Sequence, residues 1–244
     1  MTKRFAIFAD IHANIAALKS VVEDAGKNDI TDFICVGDIV GYNASPNECV
    51  NVIRELDCFT VRGNHDHYCS TENESLDDFH PIAASVITWT RDQLTEENTK
   101  WLKNLPLYAF HNGMTLVHST LDMPERWGYV FESIEAEAHF CYQNTQLCFH
   151  GHTHVPVVFE KHSNTVMRHE PNNFLISLGH KYFVNTGSVG QPRDNNPDAS
   201  YCIYDTKTRT IEFRRVEYDV EDTQRRIREA GLPERLAQRI ITGR

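Results

Sequence analysis

The sequence predicts an α/β protein made of two packed β-sheets flanked by helices, and three observations carry that expectation. Strand, loop and amphipathic helix alternate through residues 3–66, strand-like runs return in close succession between residues 114 and 216, and polar residues gather at the ends of the predicted strands. Alternation of this kind implies a largely parallel sheet with right-handed crossovers and ligand groups at the carboxyl ends of its strands. The later, closely spaced runs imply a second, partly antiparallel sheet lying on the first.

Residues 3–9 (KRFAIFA) form a short apolar run without helical period, which reads as a central strand covered on both faces. Asn14 then caps a helix whose apolar residues Ile15, Leu18, Val21, Val22 and Ala25 recur at helical spacing, and Gly26 is placed to end it in a left-handed turn. The unit repeats with a strand at 33–36, a loop, and a helix through 48–56 with Pro46 near its first turn. A third strand, 59–61, runs into Gly63-Asn64-His65-Asp66. An acidic insert containing Asp77 and Asp78 follows, readable as a solvated loop or a lid, then helices over 82–94 and from the capping box at Thr95. Further strands are expected at 114–118, 146–150, 155–160, 182–185, 200–204 and 210–216. We divide the chain into a main domain, 1–218, and a helical C-terminal appendage, 219–244, whose apolar stripe Ile227, Leu232, Leu236, Ile240 and Ile241 is expected to pack back on the core or join a second subunit in a homo-oligomer.

Composition excludes several functions. With 24 Lys+Arg against 34 Asp+Glu the net charge is −10, which is unsuited to the phosphate backbone of duplex nucleic acid. The N-terminal apolar run is interrupted too early for a signal peptide, and no stretch approaches the roughly 18 apolar residues of a membrane span. Seven scattered cysteines without a C-x-x-C pair fit neither a disulfide framework nor a zinc knot, so a cytoplasmic protein is expected.

Thirteen histidines are the unusual feature. Several fall in polar clusters that end predicted strands: Asp10-Ile11-His12, Gly37-Asp38, Gly63-Asn64-His65-Asp66, His118, and Gly151-His152-Thr153-His154. This mixture of carboxylate, imidazole and amide suits a pair of borderline divalent ions acting on one phosphoryl group. In extended backbone residues i and i+2 point the same way, so Asp10 and His12 are expected to share a face, as are His152 and His154. By the same argument His67 is a candidate substrate contact beside His65. The remaining histidines have no motif context, and Trp89, Trp101 and Trp127 read as packing anchors.

In identity and order these motifs, D-x-H, G-D, G-N-H-D, a lone His and G-H-x-H, resemble those of the calcineurin-like metallophosphoesterases. The resemblance implies an αββα sandwich and a phosphoric ester hydrolase with two divalent transition-metal ions, drawn from Mn, Fe, Zn, Co or Ni. It implies that Asp10, His12 and His154 hold one ion, that Asn64, His118 and His152 hold the other, and that Asp38 bridges them. A hydroxide between the ions would attack in line, His65 as an imidazolium would protonate the leaving group, and Asp66 would orient His65.

The chain departs from the protein-phosphatase branch, whose phosphate-binding Arg in G-D-x-x-D-R-G has no counterpart in Gly37-Asp38-Ile39-Val40-Gly41-Tyr42-Asn43. That stretch, with residues 185–193 (NTGSVGQPR), is similar to small bacterial-type phosphodiesterases and dinucleoside-polyphosphate hydrolases, and Arg193 is a candidate to replace the missing contact. The expected substrate is a small nucleotide-like phosphodiester or phosphoanhydride. The alternatives are a phosphoprotein phosphatase or a catalytically weak interaction scaffold.

Overall fold

Alternation along the first strand decides the layering. Phe5, Ile7 and Ala9 point one way, Ala6 and Phe8 the other, and none is exposed, so this strand is covered on both faces. A computed structural model, which describes residues 2–72, 74–77 and 79–244, shows what covers each face. In chain order the elements are β1 (Arg4–Phe8), α1 (Ile15–Gly26), β2 (Asp32–Cys35), α2 (Pro46–Glu55), β3 (Phe59–Thr60), α3 (Asn64–Ser70), α4 (Pro81–Gln93), α5 (Glu96–Lys103), β4 (Tyr108–His111), β5 (Met114–Val117), α6 (Ser133–Tyr142), β6 (Leu147–His150), β7 (Val157–His162), β8 (Thr165–His169), β9 (Phe174–Leu175), β10 (Lys181–Asn185), β11 (Ala199–Asp205), β12 (Thr210–Val216), α7 (Val220–Glu229) and α8 (Glu234–Thr242).

One sheet runs β3-β2-β1-β11-β12-β9 and the other β4-β5-β6-β10-β7-β8. Between them lies a core of Phe5, Ile7 and Val36 from the first sheet against Leu116, Phe149 and Val184 from the second. The outer face of the first sheet, with Ala6, Phe8 and Tyr201, buries the apolar sides of α1 and α2 through Leu18, Val21 and Ile53. The outer face of the second sheet, with Phe159 and Phe183, buries Ala136 and Phe140 of α6. Two packed sheets flanked by helices are therefore present as expected.

The pairing is more mixed than alternation implied. Parallel pairs are confined to β1-β2-β3 and β5-β6-β10, whereas β1 meets β11 antiparallel. Gly26 does not take the left-handed conformation: the helix ends on right-handed Lys27, whose N–H reaches Asp24 and Ala25, and the positive φ falls on Asp29. Asn14 caps α1 as expected, accepting from the Ala17 N–H at 3.2 Å.

The C-terminal stripe folds back. Ile227, Leu232, Leu236 and Ile240 are buried with Val86 of α4, and Ile82 and Tyr42 pack against them, while Ile241 is left 53% exposed. Among the described residues no helix is long and apolar enough to cross a membrane. Asp78 of the acidic insert lies outside the described residues; Asp77, beside it, accepts a hydrogen bond from Ser75.

Candidate metal centre

The polar clusters follow β1, β2, β3, β5 and β6, all of which run parallel to a neighbour, so their carboxyl ends bring the clusters to one edge where the two sheets meet. The backbone there is crowded. A Cβ on Gly63 would stand 2.1 Å from Asp38 Oδ1, and one on Gly151 would stand 2.5 Å from Asp10 Oδ2. Only glycine leaves the two carboxylates room. Asp10, His12, Asp38, His152 and His154 all have positive φ, between 47° and 70°, so the convergence of these side chains comes from left-handed turns and not from the extended backbone expected.

Three groups of donor atoms lie within 4.8 Å of one another: Asp10, His12 and His154; Asp38, His118 and His152; and His12, Asp38 and His65. Each imidazole of the first two groups is fixed through one nitrogen and presents the other. His12 Nδ1 donates to Val40 O (3.0 Å), His118 Nδ1 to Val36 O (2.9 Å), His154 Nδ1 to Gln191 O (2.6 Å), and His152 Nε2 to Trp127 O (2.8 Å). This is how proteins set the tautomer of a ligating histidine. Burial pushes His12 and His154 well below the ordinary imidazole range, so both rings are neutral and their Nε2 atoms face each other bare at 3.1 Å. Two lone pairs at that distance repel unless a cation lies between them. Donors about 2.1 Å from one ion stand roughly 3.0–3.4 Å apart, which matches this separation.

Asp10 shows the same deficit of positive charge. Asp10 Oδ2 accepts from the His152 N–H at 3.0 Å, but Oδ1 is buried without a partner, 3.5 Å from His154 Nε2. Burial pushes its carboxyl up to about 8 against the pull of His118. Asp38 Oδ1 accepts from the His65 N–H (2.8 Å), and Oδ2 lies 3.6 Å from His12 Nε2 and 3.3 Å from His118 Nε2. Burial acts to raise Asp38 as well, but His118, at 3.3 Å, opposes it and the group is held below the carboxylate range. For His118 burial is outweighed by Asp38 and Asp10, which bring the imidazole up to about 9. The donor set therefore fits divalent cations, with Asp38 common to both sides. Asn64 Oδ1 lies 3.1 Å from His118 Nε2, beside the second group.

Two expected roles change. Asp66 does not touch His65; its carboxylate accepts the N–H groups of Asp38 (2.8 Å), Ile39 (2.8 Å), Val40 (3.2 Å) and Gly63 (3.0 Å). It ties the loop after β2 to the loop before α3. His65 has no partner on its buried Nδ1 and is walled by Tyr42 (4.5 Å between ring centroids) and His12 (4.9 Å). Burial pushes it down to about 4. The G-N-H-D string starts α3 instead of ending a strand, so its side chains fan around a helix. For the same reason His67, roughly 200° around that helix from His65, turns towards Glu74 (3.6 Å) and Trp127 instead of sharing the face of His65.

Arg193 lies at the site. Its N–H bonds His154 O at 3.3 Å, and its guanidinium lies 5.7 Å from the Tyr42 ring centroid. The Trp127 ring lies against His67 and His118 and joins none of the core clusters, whereas Trp89 and Trp101 do pack on the core. Tyr129, which no motif marked, stacks on His152 at 4.1 Å while 54% exposed. Residues 185–193 act as scaffold: Ser188 Oγ donates to Asp10 O (2.8 Å), and Asn185 Nδ2 donates to Gly151 O (2.6 Å). The backbone carbonyls that orient the histidines have no signal in sequence.

Residues 4–209 match the calcineurin-like phosphoesterase superfamily domain. The chain is 42% identical over 243 residues to an uncharacterized protein of Methanocaldococcus jannaschii, with 98% of each covered. It is similar to the crystal structure of a metallophosphoesterase from Sphaerobacter thermophilus, at a TM-score of 0.88, 40% identity and 100% of both chains. A hypothetical protein from Pyrococcus horikoshii shares the fold at a TM-score of 0.80 and 19% identity, covering 99% of this chain and 98% of that one. With strand-end clusters built to take divalent cations and a family match over most of its length, the chain belongs to the calcineurin-like phosphoesterase superfamily and is a metal-dependent phosphoester hydrolase.

Proposed function

We propose that the protein hydrolyses a phosphodiester or phosphoanhydride of a small nucleotide-like molecule at a centre of two divalent cations. Asp10, His12 and His154 would hold one ion, Asn64, His118 and His152 the other, and Asp38 both. The observation that carries this reading is the facing pair of bare Nε2 atoms of His12 and His154 beside the unpartnered Asp10 Oδ1, with Asp38 Oδ2 open towards both donor groups. When bound, two such cations activate a water and offset charge on the phosphoryl oxygens. The chain supplies orientation: carbonyls fix the imidazoles, Asp66 fixes the loop that carries Asp38, and His65, buried against Tyr42 and His12, would donate to a leaving oxygen once an anion is bound.

The nucleotide-like character draws support from Tyr129, whose exposed ring beside His152 offers a stacking face. Seven unpaired cysteines support a reducing, cytoplasmic setting. The test is metal content together with turnover of bis-p-nitrophenyl phosphate and of the monoester, with Mn²⁺ and with chelator. Two ions per chain and chelator-sensitive hydrolysis are expected; one ion per chain, or turnover indifferent to chelator, refutes the reading.

A further inference from the structure

Tyr42 also lines a cavity of ≈ 310 Å³ whose other polar lining is almost wholly cationic: Arg193, Arg235, Arg239 and Arg244, with His80. At roughly 30 Å³ per water it has room for about ten waters. Among the described residues none of the four arginines meets a side-chain carboxylate, although the chain as a whole carries a net charge of −10. Arg193 donates to Gln191 Oε1 and Arg244 to Asn195 Oδ1, both uncharged acceptors, and Arg239 donates to the main-chain oxygen of Arg244. The Arg239 guanidinium is held below the ordinary arginine value first by burial and then by Arg193. Like charges gathered in a concave, partly buried place without side-chain counter-ions await an anion.

The position of the cavity says which anion. Tyr42 forms its inner wall, and the same ring lies 4.6 Å from His12 and 4.5 Å from His65. Arg193 belongs to both places, and its charge is felt at Asp10, His12, His65 and His154. We infer that this cavity is a second anion site, which takes a phosphate-bearing extension of the molecule whose scissile phosphoryl group lies at the metal centre. The inference rests on the proposed hydrolytic function and narrows its substrate to one with at least one further phosphate. Guanidinium groups suit it because their planar forks meet phosphate oxygens in pairs. Two of the four arginines come from α8, so the C-terminal helix is a substrate-selecting element.

The test compares the full chain with Arg235→Gln/Arg239→Gln. In the first arm metal is removed with chelator and inorganic tripolyphosphate is titrated by calorimetry. The Kd is expected to rise at least tenfold in the variant, and wild-type affinity to fall as salt is raised. In the second arm the Mn²⁺-loaded proteins hydrolyse bis-p-nitrophenyl phosphate, which has one phosphorus, and a dinucleoside tetraphosphate. The variant is expected to raise KM for the tetraphosphate at least tenfold and to change kcat/KM for the diester less than twofold. Equal tripolyphosphate affinity in the two proteins overturns the site. Lost tripolyphosphate binding with unchanged tetraphosphate KM overturns the substrate extension and assigns the cavity to a free anion. If wild type hydrolyses neither ester, the proposed function falls with the substrate extension, and the first arm alone decides the anion site. Should the double variant fail to fold, Arg235→Glu, at an exposed position, reads the same loss.

Discussion

Two places in this molecule gather histidines around carboxylates, and they differ in what is left unsatisfied. At the edge of the second sheet, Glu160 lies 2.5 Å from His180 Nδ1 and 2.7 Å from His169 Nε2 and accepts from the Tyr182 hydroxyl at 3.0 Å, so both of its oxygens are engaged by protein groups. At the strand ends, Asp10 Oδ1 has no partner, and two imidazoles spend their N–H groups on carbonyls in order to face each other with lone pairs. Residue types are alike; the balance of donors and acceptors is opposite. A metal site is recognised by acceptors in excess, and the number of histidines alone does not decide.

The sharpest way to break this contrast is Asp38→Asn. It removes the charge shared by both donor groups and should lower kcat/KM at least about 10³-fold with loss of bound metal, read by turnover and metal content. Glu160→Gln in the same assay should change neither by more than about twofold, and a comparable loss there would erase the distinction. Next in size is His65→Ala, expected to lower kcat by about 10²–10³-fold with metal content intact; loss of an ion instead would make His65 a ligand, as its place in the third donor group allows. Asp66→Asn should weaken metal affinity about 10–100-fold by freeing the loop of Asp38, with no change in the pH profile attributable to His65.

The smallest effect is one of stability. Burial acts to raise Glu160, but hydrogen bonds from His180, Tyr182 and His169 hold its carboxyl below the usual value. A carboxylate depressed in the folded state contributes stability above its unfolded pKa of about 4.3 and loses it as pH falls through the folded value. Glu160→Gln should therefore destabilise by about 1–2 kcal/mol at pH 7, and the difference should shrink below about pH 4, as measured by urea unfolding at both.

Much of the fold was legible because apolar period distinguishes strand from helix, and the capping residues Asn14 and Thr95 stand where the helices begin. The candidate ligands were legible because strand ends collect polar residues. The roles of Asp66 and His67 were not, because both depend on whether G-N-H-D ends a strand or begins a helix, and Asn64 caps or continues equally well in either reading. The arginine cavity was invisible for another reason. It joins Tyr42 and Arg193 to residues of α8 that the sequence set apart as an appendage, and only the packing of Leu236 and Ile240 brings them together.

The five left-handed residues at the strand ends have a consequence for the life of the protein in the cell. Non-glycine backbone in that region costs about 1 kcal/mol or more per residue, and bound cations, which the unfolded chain holds poorly, offset it. Endurance against heat and proteases should then rise with the supply of divalent cations: a chain made under metal starvation should be degraded sooner than one made in plenty, so abundance itself would report the availability of the ions.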